Sequence, residues 1–138
     1  MTATNPWIPL FLTSENAFQV EPLAEINNKH FFEKAMKAID SAKNEITYGE
    51  TINDLLSANK NGLTTCHRSL ATIGVWHFEC AVELFEKAIR NFEKAKKGGL
   101  SRSNLRIAES QILDCQEQLS IANVQKESAE KLLNSIEN

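Results

Sequence analysis

The stretch that decides the fold is residues 103–136, SNLRIAESQILDCQEQLSIANVQKESAEKLLNSI. Apolar side chains recur there in alternating steps of three and four residues over more than four heptads. This spacing puts them on one face of an α-helix, in the pattern of a coiled-coil seam. We therefore predict a long helix that packs lengthwise against a neighbour. The seam consists of Leu105, Ala108, Ile112, Cys115, Leu119, Ala122, Lys126, Ala129, Leu133 and Ile136.

The preceding stretch, residues 65–97, predicts a second long helix. It contains no proline, lysines gather near its end, and Gly98 and Gly99 follow, all of which are typical of a helix that stops there. Because the connection is short, we predict that the two helices are antiparallel neighbours. The apolar arc is wider than one neighbour covers, which predicts a central helix or an oligomer interface. Its members are Leu70, Ile73, His77, Phe78, Ala81, Val82, Leu84, Phe85, Ala88, Ile89, Phe92 and Ala95.

The first helical segment begins at Pro22, a residue well suited to a first helical turn. Gly49 interrupts its apolar pattern, and Thr51 with Asp54 nearly matches a capping box, which marks a helix start. Two arrangements are open. The segment forms two helices, over about 23–47 and 52–60, or one long helix kinked near Gly49, and we favour the kinked or broken form.

Together these segments predict an all-α fold, an antiparallel three- or four-helix bundle with a long C-terminal αα-hairpin and an extended N-terminal arm. The arm comprises residues 1–21 and the single bundle domain residues 22–138. Pro6 and Pro9 disfavour a helix in the arm. Its apolar residues, among them Trp7 and Leu10, either lie across the bundle or dock onto another subunit or partner.

Composition narrows the classes of function. A net charge of −3 disfavours general coating of nucleic acid, and no apolar run approaches the roughly 18 residues of a membrane helix. Three cysteines, with no signal peptide evident, predict free thiols and a cytoplasmic location. No common nucleotide-binding, hydrolase or zinc-protease motif appears, and neither does the E-x-x-H pattern of di-iron bundles. We expect no cofactor and lean towards a protein that is not an enzyme.

A cluster of His77, Cys80 and Cys115 is the one candidate for metal or thiol chemistry. His77 and Cys80 are one helical turn apart, and the predicted hairpin brings Cys115 near them. A zinc site normally has four ligands, and a fourth is not evident. We favour core packing, with His77 hydrogen-bonded to a neighbour, over a metal site, thiol chemistry or a disulfide.

Basic residues gather at the predicted hairpin tip. Seven cationic and two acidic side chains lie in residues 86–106. The candidates for binding an anion are Lys94, Lys96, Lys97, Arg102 and Arg106. They predict either an anion or nucleic-acid site or only a soluble, well-capped helix end, and we favour the second reading.

Trp76 is predicted on a polar flank of the second long helix, and tryptophan is enriched at protein interfaces. Burial under the N-terminal arm or the first helix is an equally open alternative. With Phe78, Trp7 and Leu10 it makes our set of candidate interaction residues. The leading hypothesis is a non-enzymatic bundle that binds a protein partner or a second copy, as an adaptor, assembly factor or regulator. Binding of a polyanion at the tip is the alternative, and a metal- or ligand-binding bundle is the weaker one.

Overall fold

The computed structural model describes residues 17–59 and 62–136, and describes side chains from Asn28 onward. These residues form three packed helices, α1 (Ala17–Ala58), α2 (Thr65–Gly98) and α3 (Arg102–Ser135), without a strand. The all-α class is confirmed, and α2 and α3 match their predicted ranges to within one residue. None of the three helices is long and apolar enough to cross a membrane.

Helix α1 is continuous through Gly49, so the prediction of two separate helices is wrong. The Thr51 hydroxyl does not cap a new helix. It donates to the Thr47 carbonyl at 2.8 Å, one turn earlier in α1. Glycine inside a helix costs only about 1 kcal/mol relative to alanine, which the packing described below offsets.

At its other end, α1 begins at Ala17 and not at Pro22, so the boundary predicted between arm and bundle lies inside the helix. Residues 1–16 of the predicted arm lie outside the described residues. Pro22 occurs in the second turn, two residues beyond the four N–H groups that have no partner within the helix, so it removes one hydrogen bond near the start of α1.

Helix α2 contacts both other helices extensively, whereas α1 and α3 touch each other little. Phe32 of α1 meets Phe92 of α2 edge to face, with ring centroids 5.5 Å apart, and further along Glu45 contacts His77. Residue numbers thus rise in α1 as they fall in α2, which makes these helices antiparallel. The wide apolar arc of α2 is covered from two sides, as its width predicted.

Helix α3 packs on α2 in the same opposed sense. Lys96, near the end of α2, lies 3.7 Å from Glu109 near the start of α3. Ala129, towards the end of α3, packs with Val75 and Phe78 of α2. The buried residues of α3 are seam residues, Ala108, Ile112, Cys115, Ala122 and Ala129.

The connection between α2 and α3 is built from local caps and one long-range contact. Gly99 adopts φ 95°, the left-handed region that glycine enters without strain, and its N–H donates to the Lys96 carbonyl. The Ser101 hydroxyl accepts from the Asn104 N–H at 3.2 Å and caps α3. Asn28 of α1 donates through Nδ2 to the Gly99 carbonyl at 2.9 Å, which joins the start of α1 to this turn.

Candidate interaction face

Two rows of uncharged side chains lie side by side on α1 and α2. On α1 they follow steps of three and four residues, and on α2 steps of four, three and four, so each row occupies one helix face. All but Cys80, which is half-buried, are exposed. We call this surface the Trp76 face. It comprises Ser41, Asn44, Tyr48, Thr51 and Leu55 of α1 with Ser69, Ile73, Trp76 and Cys80 of α2.

Large apolar side chains stand in the middle of the Trp76 face. Trp76 is 55% exposed and Tyr48 is 53% exposed, with Ile73 and Leu55 close to half exposed. The rings of Tyr48 and Trp76 both lie against the His77 imidazole, at centroid distances of 5.3 Å and 5.1 Å. Trp76 and His77 are consecutive on α2, so the Tyr48–His77 contact is the one that crosses between the helices, and it places Tyr48 beside the residue that follows Trp76.

The Trp76 face points away from α3. Ala71 and Phe78 of α2 pack in clusters that contain α3 residues. Ile73 and Trp76 are each two residues from one of these, about 200° around the helix. On α1, Glu50 accepts a hydrogen bond from Gln125 of α3 at 2.7 Å, and Tyr48 is again two residues away. No described helix covers the face.

Beneath the two rows, Glu45 Oε1 and His77 Nδ1 lie 2.5 Å apart, in a contact between α1 and α2. Both side chains are largely shielded, with exposed fractions of 23% and 18%. This contact agrees with the reading of His77 as a packed residue hydrogen-bonded to a neighbour. The contact also gives the Glu45 carboxylate, which lies between the uncharged rows, a partner in His77.

Phe78, which the sequence analysis places among the candidate interaction residues, lies in the core of the bundle. Its side chain is 0% exposed and packs in the core with Val75 and Ala129. Gly49 makes room for it, because a Cβ atom at that position would lie 2.7 Å from Phe78 Cζ. Phe78 and Trp76 are two residues apart on α2 and thus point to nearly opposite sides.

The three residues of the predicted metal cluster do not form one metal-binding group. His77 contacts Glu45, while Cys115 lies in the main core cluster. Burial, with a smaller effect from Asp114, raises the pKa of the Cys115 thiol from 9.0 to about 11, and Lys43 opposes the rise.

Cys80 also keeps its proton more firmly than an ordinary thiol, because burial and then Glu45 raise its pKa. Metal binding and nucleophilic attack both need the thiolate. Among the described residues, no group of three or more His, Cys, Asp or Glu side chains is placed to hold a metal ion. The metal hypothesis therefore has no support in the geometry.

At the hairpin tip, two of the predicted anion-binding cations have partners within the protein. Lys96 lies 4.0 Å from Glu93 and 3.7 Å from Glu109, and Lys94 Nζ is 5.4 Å from the centre of the Phe31 ring. Lys97, Arg102 and Arg106 are exposed. Binding of a polyanion at this tip stays a prediction.

Sequence reasoning found Trp76 and missed the rest of the face that bears it. Tyr48 and Leu55 are seven residues apart on α1, a spacing visible in the sequence, but Gly49 was read as an interruption there. The absence of charge from both rows is also readable from the sequence. Trp7 and Leu10, the other candidate interaction residues, lie outside the described residues.

Helix α3 carries exposed apolar side chains too. Leu113 is 68% exposed and Val124 is 62% exposed. They are eleven residues apart and are linked by the exposed, uncharged Gln116 and Ser120, so α3 carries an exposed uncharged row of its own, which has no aromatic member. They provide matched control positions for the Trp76 face.

No family model, curated protein or solved structure matches this chain at a significant level.

Proposed function

We propose that this protein acts through protein–protein interaction, without catalysis, and that the Trp76 face is the surface that binds. An adaptor, assembly or regulatory role fits such a surface, and we expect self-association. In this proposal the antiparallel bundle, with its long C-terminal αα-hairpin, is a rigid support that holds the two rows of the face in register.

The observation that carries the proposal is the pairing of half-exposed Trp76 and Tyr48 within two uncharged rows. Interface cores are enriched in aromatic side chains and depleted of charged ones relative to the rest of a protein surface. Tyr48 and Trp76 are also the only aromatic side chains among the exposed large apolar residues in the described part of the chain. Contiguous apolar patches of this kind mark binding sites on soluble proteins.

The experiment compares the size of the native assembly for three versions of the chain, each expressed with a tag in the cells that naturally produce it. Wild type is expected to migrate well above its 15.5 kDa monomer mass. Trp76→Ala should reduce that size, because it removes the largest side chain of the face. Leu113→Ser, which removes a more exposed apolar side chain from α3, should leave it unchanged.

Two results would contradict the proposal. One is migration of the wild-type protein as a monomer in every extract. The other is an assembly that survives Trp76→Ala but dissolves on Leu113→Ser, which would move the interaction to α3. Far-ultraviolet circular dichroism of the purified variants checks that each remains helical.

A further inference from the structure

Both rows of the Trp76 face continue along their helices into a basic surface. The row on α2 extends through Glu83 to four cations, and the row on α1 extends back through two lysines to His30, in unchanged steps of three and four residues. All these side chains are exposed. We call the cationic part the basic half. It comprises Lys34 and Lys37 of α1 with Lys87, Arg90, Lys94 and Lys97 of α2.

The two rows of the basic half are neighbours in space. Lys94 Nζ of α2 lies 5.4 Å from the centre of the Phe31 ring of α1, and further along the same helix pair the Tyr48 and His77 rings meet. Antiparallel packing therefore brings the cations of α1 beside those of α2. Within the described part of the chain, none of the six forms an ion pair with a carboxylate.

We propose that the Trp76 face and the basic half together bind one α-helix of another protein, whose contacting face is apolar in one half and acidic in the other. This inference rests on the proposed function and names the chemistry of its partner. The carboxylates of the bound helix lie over the basic half, and its apolar side chains lie over Trp76 and Tyr48. Docked along the groove between α1 and α2, it becomes the fourth helix of the bundle.

The combined surface has the size of a specific interface. Its α2 row runs from Ser69 to Lys97, which are 28 residues apart, or about 42 Å. Two adjacent helices of roughly 10 Å diameter make the surface about 20 Å wide. The product is about 800 Å² per partner, the area that each side of a standard complex buries, whereas the Trp76 face alone has about half of it.

Charge decides between the candidate occupants. Residues 1–16 of the same chain contain one acid, Glu15, against six cations in the basic half. Two copies placed face to face offer the basic half only cations or the uncharged Trp76 face. On α3 the exposed Asp114 and Glu117 lie between the apolar Leu113 and Val124 in sequence, so acidic and apolar residues are not separated into halves. A different protein with an acidic segment complements the surface better.

Anionic lipid also combines negative charge with apolar material. A lipid surface is acidic throughout, however, and it would oppose Glu83 and the neighbouring exposed Glu79 and Glu86 where the two halves meet. A helix needs carboxylates only opposite the cations. Single-stranded nucleic acid is bound where aromatic and basic side chains follow one strand together, and here they occupy separate halves.

The test uses the purified full chain and two synthetic peptides of about 28 residues, which span the surface when helical. Both carry leucines on one face of their first half. On the same face of the second half, the acidic peptide carries glutamates and its control carries glutamines. Fluorescence anisotropy of the labelled peptide measures binding.

The acidic peptide is expected to bind at least tenfold tighter than the glutamine peptide, because several exposed ion pairs add to the apolar contact. This advantage should fall below about twofold when sodium chloride is raised from about 20 to about 500 mM, because salt screens exposed charges.

Charge reversal locates the site on the molecule. Arg90→Glu should weaken binding of the acidic peptide at least tenfold and change binding of the glutamine peptide by less than about twofold. Arg106→Glu makes the same change at an exposed position of α3 near the same end of the bundle and should cost less than about threefold. Trp76→Ala should weaken binding of both peptides, because their leucines lie over it. Circular dichroism verifies the fold of each variant.

The inference is overturned if the two peptides bind equally or if neither binds at about 500 µM. It also fails if Arg106→Glu costs as much as Arg90→Glu, since the attraction would then be general to this end of the bundle. Tighter, Arg90-dependent binding to vesicles of phosphatidylserine and phosphatidylcholine, or to a single-stranded oligonucleotide, would replace the partner helix by lipid or nucleic acid.

The native assembly separates this inference from the proposed function. Equal binding of the two peptides, combined with a Trp76-dependent assembly in cell extracts, would reject the acidic helix and retain protein binding by the Trp76 face. The same peptide result with a monomer in every extract would reject both.

Discussion

At the residue scale, the contact between Gly49 and Phe78 explains the largest departure from the sequence prediction. Gly49 was read as a helix interruption, yet α1 continues through it. The missing side chain lets the Phe78 ring lie against the α1 backbone, fully buried. A residue that looks like a helix breaker is therefore a packing site, and its small cost to the helix is offset by the burial of an aromatic ring.

We predict that Gly49→Ala destabilises the protein by about 1–3 kcal/mol, because its Cβ would overlap the Phe78 ring. Helix propensity alone would predict a gain of up to about 1 kcal/mol, so the sign of the change decides between the two effects. Urea denaturation measures it. Ser57→Ala, an exposed position in the same helix, is the control and should change stability by less than about 0.5 kcal/mol. An unchanged or raised midpoint for Gly49→Ala would show that the ring shifts at little cost.

At the element scale, Asn28 ties α1 to the turn between α2 and α3. It is buried, its Nδ2 donates to the Gly99 carbonyl, and its amide group packs on Gly98, where a Cβ atom would overlap it. The hydrogen bond spans 71 residues of sequence, so it aligns α1 with the end of α2 in a way that local spacing cannot specify.

We expect Asn28→Ala to lower the free energy of unfolding by about 1–2 kcal/mol, because the Gly99 carbonyl loses its donor in a part-buried hydrogen bond. Asn28→Asp keeps the shape of the side chain but cannot donate when ionised, and it should be at least as destabilising at neutral pH. Chemical denaturation of the two variants and wild type provides the comparison. Two variants as stable as wild type would mean that water replaces the bond without loss.

At the scale of the whole molecule, one central helix holds the core together. The main cluster joins residues of all three helices, and two smaller clusters continue it towards the far end of the bundle. Because α2 contributes to every cluster, no helix can separate from the bundle without exposing part of a shared hydrophobic core.

We therefore predict a single cooperative unfolding transition. Urea denaturation of a Trp7→Phe chain, followed both by Trp76 fluorescence and by circular dichroism, should give coincident curves. Fluorescence then reports the surroundings of Trp76 beside His77 on α2, and circular dichroism reports all the helices. Loss of helicity at a clearly lower urea concentration than the fluorescence change would show that α3 separates first.

The sequence by itself determined the helical class and the extents of α2 and α3. The physical reason is that helix periodicity and end signals are local, as the seam from Leu105 to Ile136 and the Gly98-Gly99 end illustrate. It also singled out Trp76 on a polar flank of α2, beside Ser69, Glu83 and Lys87 in helical projection, but left open whether another segment covers it.

Tertiary structure alone decided which side of each apolar arc meets a neighbour. Phe78 is buried and Ile73 exposed, although the sequence placed both in one wide arc, because the positions of α1 and α3 select the covered part. The continuity of α1 through Gly49 likewise depends on a ring 29 residues away in sequence. Contacts over such separations form only when the helices pack, so no local pattern encodes them.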